Sequence, residues 1–255
     1  MTRIRANGRP WKWHTLAHVC RRWRDVISMS PRRLCLEILC KSGAPIERIL
    51  TSWETVPLIV RFKGSAKSKS LPKNIATALC HPDRVREIDL GLTSTIVGSI
   101  VDVIKKPFQI LERIRITIKD AKRPSLPFSN VFLGGSAPRL RVIVLHGITF
   151  PFPEIKQVIS SNNLVELRLT RIPKAGYFSA GALVTALSTS AQLRELQVDF
   201  HYPTSFPSQS ETSPPLQRTT FPSLCILDFR GASGYLEEFL SRVDLPSLRD
   251  RRAHV

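Results

Sequence analysis

The chain has 255 residues, 42% of them hydrophobic and 23% charged, and a formal net charge of +18. That balance supplies a sizeable core and excludes wholesale disorder, which requires low hydrophobicity together with high charge. Five cysteines, an odd number with no C-x-x-C pair and no regular spacing, exclude a disulfide framework and a cysteine-based zinc site.

The chain begins with strong positive charge. Residues 1 to 33 hold Arg3, Arg5, Arg9, Lys12, Arg21, Arg22, Arg24, Arg32 and Arg33 against the single acid Asp25. Such a field attracts nucleic acid, anionic lipid or an acidic protein; a solvated basic face is the plainer alternative. The first 20 residues hold no apolar run of the kind a secretory signal requires. The longest uncharged stretch, Ala175 to Leu193, is too rich in Ser, Thr and Gly to make a good membrane span. The expectation is a cytoplasmic or nuclear protein without a membrane partner.

From Trp13 to Ser28 the apolar residues Leu16, Val19, Cys20, Trp23 and Ile27 fall on one stripe of a helix, and Ser30-Pro31 ends it. A strand from Leu34 to Leu39, a short helix from Pro45 to about Trp53 and a strand from Pro57 to Phe62 follow. The small, basic tract Lys63 to Ser70 reads as an exposed loop. Four of the cysteines sit among apolar residues, where Cys behaves as a small core hydrophobe.

Beyond this point one pattern, L-x-x-L-x-L, recurs. Its apolar triplets are Val85/Ile88/Leu90, Leu111/Ile114/Ile116, Leu140/Ile143/Leu145, Leu164/Leu167/Leu169, Leu193/Leu196/Val198 and Leu224/Leu227/Phe229. A seventh copy begins at Leu248 and is read as truncated. First positions lie 26, 29, 24, 29, 31 and 24 residues apart, the period of leucine-rich repeats with one strand and one helix or turn each. Pro57 to Phe62 reads as a degenerate earlier copy. Ser94 or Thr95, Ser179 and Ser233 are candidate caps for connecting helices, and Pro153 to Ser160 forms a shorter one. His201 to Pro222 is a Pro/Ser/Thr-rich insertion between copies.

Side chains alternate across a strand, so the second and third apolar positions point inward and the residue between them points out. That outward column is Asp89, Arg115, Val144, Arg168, Gln197 and Asp228, flanked by Glu87, Arg113, His146, Glu166, Glu195 and Arg230. A doubly wound sheet buries both faces and reads as continuous Val/Ile/Leu runs, a rule only Val142-Ile143-Val144 follows here. The fold class expected is therefore α/β, an irregular leucine-rich-repeat solenoid of parallel strands and outer helices over 34–255, with a basic lead-in and helix over 1–33. Its concave face, mixed in sign, fits a protein target better than nucleic acid, whose groove is more uniformly basic. An uncapped last copy at Leu248 is expected to leave an open apolar strand edge.

Catalytic signals are weak. His14 and His18 stand four apart, but Thr15 replaces the glutamate of a metallopeptidase helix. Gly231-Ala232-Ser233-Gly234-Tyr235 fails the G-x-S-x-G elbow at its last position, and Gly134-Gly135-Ser136 lacks the Gly-Lys of a phosphate-binding loop. No enzyme, metal or cofactor is expected.

The segment Trp11 to Val26, with its core Val19-Cys20-Arg21-Arg22-Trp23-Arg24 and the following Ser30-Pro31-Arg32-Arg33-Leu34, resembles the second half of an F-box. With the irregular repeats behind it, the whole chain resembles the fungal F-box/leucine-rich-repeat proteins. That resemblance implies a substrate receptor of a cullin-RING ubiquitin ligase, docked on a Skp-type adaptor through Leu16, Val19, Cys20, Trp23 and Pro31, with the repeats holding the target. The first F-box helix, usually a Leu-Pro and an aliphatic run, has no counterpart before Trp11. The ninth repeat positions, Thr93, Lys119, Ile148, Ile172, His201 and Ala232, carry no Asn. The same helix also suits a plain cap over the apolar end of the repeats.

Overall fold

The computed structural model describes residues 19–29, 36–39, 46–63, 71–119, 132–149, 152–201 and 218–254. In chain order the elements are α1 (Arg21–Ser28), β1 (Leu36–Leu39), α2 (Glu47–Ser52), β2 (Leu58–Lys63), α3 (Leu71–Leu79), β3 (Val85–Leu92), α4 (Ser94–Val101) and β4 (Arg113–Ile118). There follow β5 (Val142–His146), α5 (Phe152–Ile159), β6 (Glu166–Ile172), α6 (Ala180–Leu187), β7 (Glu195–Phe200), β8 (Thr219–Thr220), β9 (Ile226–Arg230), α7 (Ser233–Ser241), β10 (Val243–Asp244) and β11 (Asp250–His254). Nine strands form one sheet in the order β1-β2-β3-β4-β5-β6-β7-β9-β11, each pair parallel. The fold is α/β. Chain order and sheet order agree, so the sheet grows by one strand at a time without reversal.

Each L-x-x-L-x-L copy before Leu248 forms the strand expected of it, because its inward residues are branched and aliphatic and its outward ones polar. The inward row Val60-Ile88-Ile114-Ile143-Leu167-Leu196-Leu227 runs in register across seven strands, with every member buried. A second row, Phe62-Leu90-Ile116-Leu145-Leu169-Val198-Phe229, lies beside it, likewise buried. The first motif positions, Val85, Leu111, Leu140, Leu164, Leu193 and Leu224, are buried at the strand approaches. Outward residues alternate with these as half-exposed side chains, so among the described residues only one face of the sheet is covered. A doubly wound sheet, covered on both faces, is not what forms.

Backbone hydrogen bonds extend the register ahead of the strands. The amides of Glu112, Arg141, Val165, Arg194, Cys225 and Arg249 donate to the carbonyls of Arg86, Glu112, Arg141, Val165, Arg194 and Cys225 at 2.8–3.0 Å, each one copy back. Side chains add to this ladder. Asn163 donates to Pro138 O at 2.8 Å, Ser190 to Ser161 O at 3.3 Å and Ser247 to Pro222 O at 2.6 Å, so the polar lead-in residues satisfy carbonyls of the preceding turn. Near the start, the Arg84 guanidinium reaches the carbonyls of Leu50, Trp53 and Val56, closing the C-terminal end of α2, where a cation is favoured. Burial there lowers the Arg84 pKa from its ordinary value.

Several details depart from the sequence reading. Ser179 caps α6 as expected, accepting from Ala182 N at 3.1 Å. Ser94 and Ser233 instead form the first residues of α4 and α7, behind Thr93 and Ala232, which make no side-chain cap. Cys20 and Cys80 are exposed and Cys225 is half-buried, so these three are not core residues; Cys35 and Cys40 lie outside the described residues. Helix α3 was not expected at all, although Pro72 in its first turn and buried Ile75, Ala78 and Leu79 mark it. The motif also underestimates the strands, which run on to a further buried residue at Leu92, Ile118, Ile172 and Phe200.

The insertion after β7 returns through Arg218, which pairs with Asp244 at 3.1 Å and donates to Leu240 O at 2.9 Å and to Val243 O. Behind it β8 and β10 form a separate two-stranded parallel ribbon. The last copy does not leave an apolar edge. In β11 the inward positions level with Leu227 and Phe229 hold Arg251 and Ala253, both exposed.

An aromatic cluster fills the C-terminal part of the core. Phe200 lies 5.0 Å from Tyr177, 5.6 Å from Phe178 and 5.0 Å from Tyr235, and Tyr235 stacks on Phe229 at 5.5 Å. Gly231 permits this packing, since a Cβ there would fall 2.7 Å from the Phe229 ring and 3.0 Å from that of Phe200. Gly231→Ala is therefore expected to destabilise the fold by about 1–3 kcal/mol through overpacking. Leu167→Ala should cost about 2–5 kcal/mol through the cavity it leaves in the inward row. Urea titration followed by circular dichroism measures both.

Candidate functional site

The uncovered face of the sheet brings the outward column together. Arg61, Asp89, Arg115, Val144, Arg168, Gln197, Asp228 and Arg252 stand level with one another across β2 to β11, so the six residues read from the sequence form one continuous row. The flanking residues divide between two rows. Glu87, Arg113, Glu166 and Glu195 lie on the N-terminal side of the central row, together with Val142 and Ile226. His146 and Arg230 lie on its C-terminal side, with Thr117, Thr170 and Asp199. The motif counts outward positions without distinguishing these sides, which is why the sequence reading merged them.

Charges on this face are nearly balanced. Among the described side chains, Glu87, Asp89, Glu166, Glu195, Asp199, Asp228 and Asp250 stand with Arg61, Arg113, Arg115, Arg168, Arg230 and Arg252. Many are paired. Arg61 meets Glu87 at 3.4 Å, Arg168 bridges Glu166 at 3.0 Å and Glu195 at 2.8 Å, Gln197 donates to Asp228 at 3.0 Å and Arg252 meets Asp250 at 2.8 Å. Partly exposed pairs of this kind each contribute at most about 1 kcal/mol, so their main effect is to set the charge pattern that a partner meets. Between the paired regions, Val142 and Val144 make a half-exposed apolar strip on β5. Ile226, which sequence reasoning did not single out, adds a 36% exposed side chain on β9.

At the C-terminal side of the face His146 Nδ1 lies 2.9 Å from Thr170 Oγ1. Burial lowers the His146 pKa, Arg171 lowers it further and Asp199 opposes them. Arg171 is exposed and has φ 49°, a left-handed conformation unusual for Arg. It occupies the irregularity at which β6 shifts register against β7 between Leu169 and Ile172. A bulge of this kind re-aims the side chains around it.

The adaptor-side residues named from the sequence are only partly described. Leu16 and Pro31 fall outside the described residues, as do His14 and His18. Val19 and Cys20 precede α1, and Trp23 lies in its first turn. Val19 is 64% exposed, Trp23 49% and Val26 58%. Trp23 and Val26, three apart, share one face of α1, with Val19 just ahead of the helix, and Val26 is a residue the sequence reading left out. Arg21, Arg22 and Arg24 are exposed beside them.

Among the described residues no group of three or more His, Cys, Asp or Glu is arranged to hold a metal ion, and no helix is long and apolar enough to cross a membrane. No protein-family model matches the chain, and no curated protein matches it closely enough to count as a relative.

The lowered His146 pKa fixes the sign of a pH effect. The unfolded chain binds a proton more readily than the folded one, so stability rises with pH through the window just below the ordinary histidine value of 6.5. It is lost as pH falls through that window. His146→Gln, which retains a hydrogen-bonding group beside Thr170 and does not titrate, should reduce the drop in urea midpoint between about pH 7.5 and about pH 5.5.

Proposed function

We propose that this chain is a non-enzymatic substrate-recognition adaptor of the F-box/leucine-rich-repeat kind. In this reading the strands and helices from 34 onward are an irregular leucine-rich-repeat solenoid whose uncovered face holds a protein target. The helical segment at 1–33 docks on a Skp-type adaptor of a cullin-RING ubiquitin ligase.

The observation that carries the reading is the exposed apolar face of α1. Trp23, the tryptophan of the V-C-R-R-W-R core, is 49% exposed on the same face of α1 as exposed Val26, and exposed Val19 stands just before the helix. A tryptophan on an exposed apolar face is the kind of anchor on which protein interfaces concentrate their energy. The sheet face supports the other half of the reading. Its acids and arginines interleave, and a nucleic-acid groove would carry a more uniform basic charge to meet phosphates.

In a pull-down with a purified Skp-type adaptor, the chain should be captured. Trp23→Ala should lose at least about 2 kcal/mol of binding, close to thirtyfold in affinity, with its melting curve unchanged. Equal capture of the folded Trp23→Ala protein would refute docking through this helix.

A further inference from the structure

Arginines that are half-buried in this fold have, with two exceptions, a bonded partner. Among the described residues, Arg61, Arg86, Arg168 and Arg242 hold carboxylates and Arg84 holds backbone carbonyls. Arg113 and Arg115 are the exceptions: both are half-buried, and neither side chain makes an ion pair or hydrogen bond among the described residues. Their neighbours do not supply one. Glu87, level with Arg113, turns to Arg61, and Asp89, level with Arg115, makes no ion pair or hydrogen bond with it. On the other side stand Val142 and Val144, which offer no acceptor.

A partly desolvated guanidinium without an anion is held at a cost that an incoming anion removes. The valine strip strengthens that attraction, because apolar neighbours exclude water from one side of both guanidiniums. Geometry narrows the ligand. Arg113 and Arg115 stand two residues apart on one face of β4, about 7 Å at the backbone. An extended peptide repeats its same-side residues at that same interval. Two acidic residues separated by one residue therefore match the two arginines, whereas adjacent acidic residues point to opposite sides of an extended chain and present only one carboxylate.

We infer that Arg113 and Arg115, with Val142 and Val144 beside them, form a docking site for an extended acidic segment of a protein partner, read as two carboxylates at i and i+2. The inference rests on the proposed use of the sheet face for target binding and is independent of the adaptor helix. Each carboxylate accepts a charge-assisted pair of hydrogen bonds from one guanidinium, a geometry that arginine provides and lysine does not.

The test uses the full chain and three fluorescein-labelled peptides, alike except for cores of Glu-Thr-Glu, Gln-Thr-Gln and Glu-Glu-Thr, with affinity read by fluorescence anisotropy at physiological salt. Glu-Thr-Glu should bind at least tenfold more tightly than Gln-Thr-Gln and several-fold more tightly than Glu-Glu-Thr. Arg113→Gln/Arg115→Gln should lose at least tenfold for Glu-Thr-Glu, and Arg113→Lys/Arg115→Lys should fall between it and the unsubstituted chain. Arg139→Gln, an exposed arginine in the turn before β5, should change affinity less than twofold. The inference is overturned if the folded double glutamine variant binds as before, if Arg139→Gln loses as much, or if the acidic and amide peptides bind alike. Circular dichroism confirms folding of each variant. Failure here leaves capture by the adaptor unaffected, so the two readings fail separately.

Discussion

Everything in this molecule depends on the inward row that runs from Val60 to Leu227. A parallel strand followed by one short helix cannot bury its apolar side alone, and each strand here completes its burial only against the next. Six members of that row have essentially no exposed surface and Leu227 has 2%. Because the register is held level from β2 to β9, the residues between the inward ones are held level too. The uncovered face is therefore a consequence of core packing. Its rows would shift if the inward side chains did, since a slip of one residue exchanges the two faces of a strand.

The same constraint shows how little β11 adds. At β11 the register continues, but the positions that should be apolar carry Arg251 and Ala253. The strand is held by its hydrogen bonds to β9 and by the approach of Arg249 to Cys225 O, and it adds little to the core. The aromatic cluster around Phe200 supplies, on β7 and β9, the burial that β11 does not, and Gly231 is the small residue that lets those rings close.

The strands were legible in the sequence because two independent signals coincide: the spacing of the L-x-x-L-x-L copies and the alternation of apolar and polar residues within each. The central outward row was legible for the same reason, down to the residue. Less was visible where a single local signal stood alone. Among its described side chains helix α3 buries only Ile75, Ala78 and Leu79 along with Asn74, a small stripe between a basic loop and a strand. Cysteine chemistry misled because apolar neighbours in sequence say nothing of whether the Cys itself lies on the covered side; Cys80 follows α3 and is exposed. The flanking rows were blurred because the motif records outward positions without a direction along the strand. The unpartnered state of Arg113 and Arg115 was out of reach of any sequence argument, since Glu87 and Asp89 stand beside them and only the side-chain geometry shows where Glu87 turns.

The net charge of +18 and the near neutrality of the uncovered face are the last pair of facts to bring together. If the excess of lysine and arginine served a polyanion on the sheet, the level rows would be the place to concentrate it, because neighbouring strands add their fields there. Instead the arginines on that face are interleaved with carboxylates, and on β2, β6 and β11 they are tied to them at 2.8–3.4 Å. Interleaving of this kind cancels the long-range field and leaves a short-range pattern, which suits a partner that presents its own pattern of charges at close contact. Within the pattern, β4 is the strand whose two arginines have no carboxylate bonded to them. A surface that ties its arginines to carboxylates on β2, β6 and β11 and leaves a pair of half-buried guanidiniums on β4 beside two valines reads carboxylate position in its partner. Uniform attraction to a negative polymer would have required the opposite arrangement.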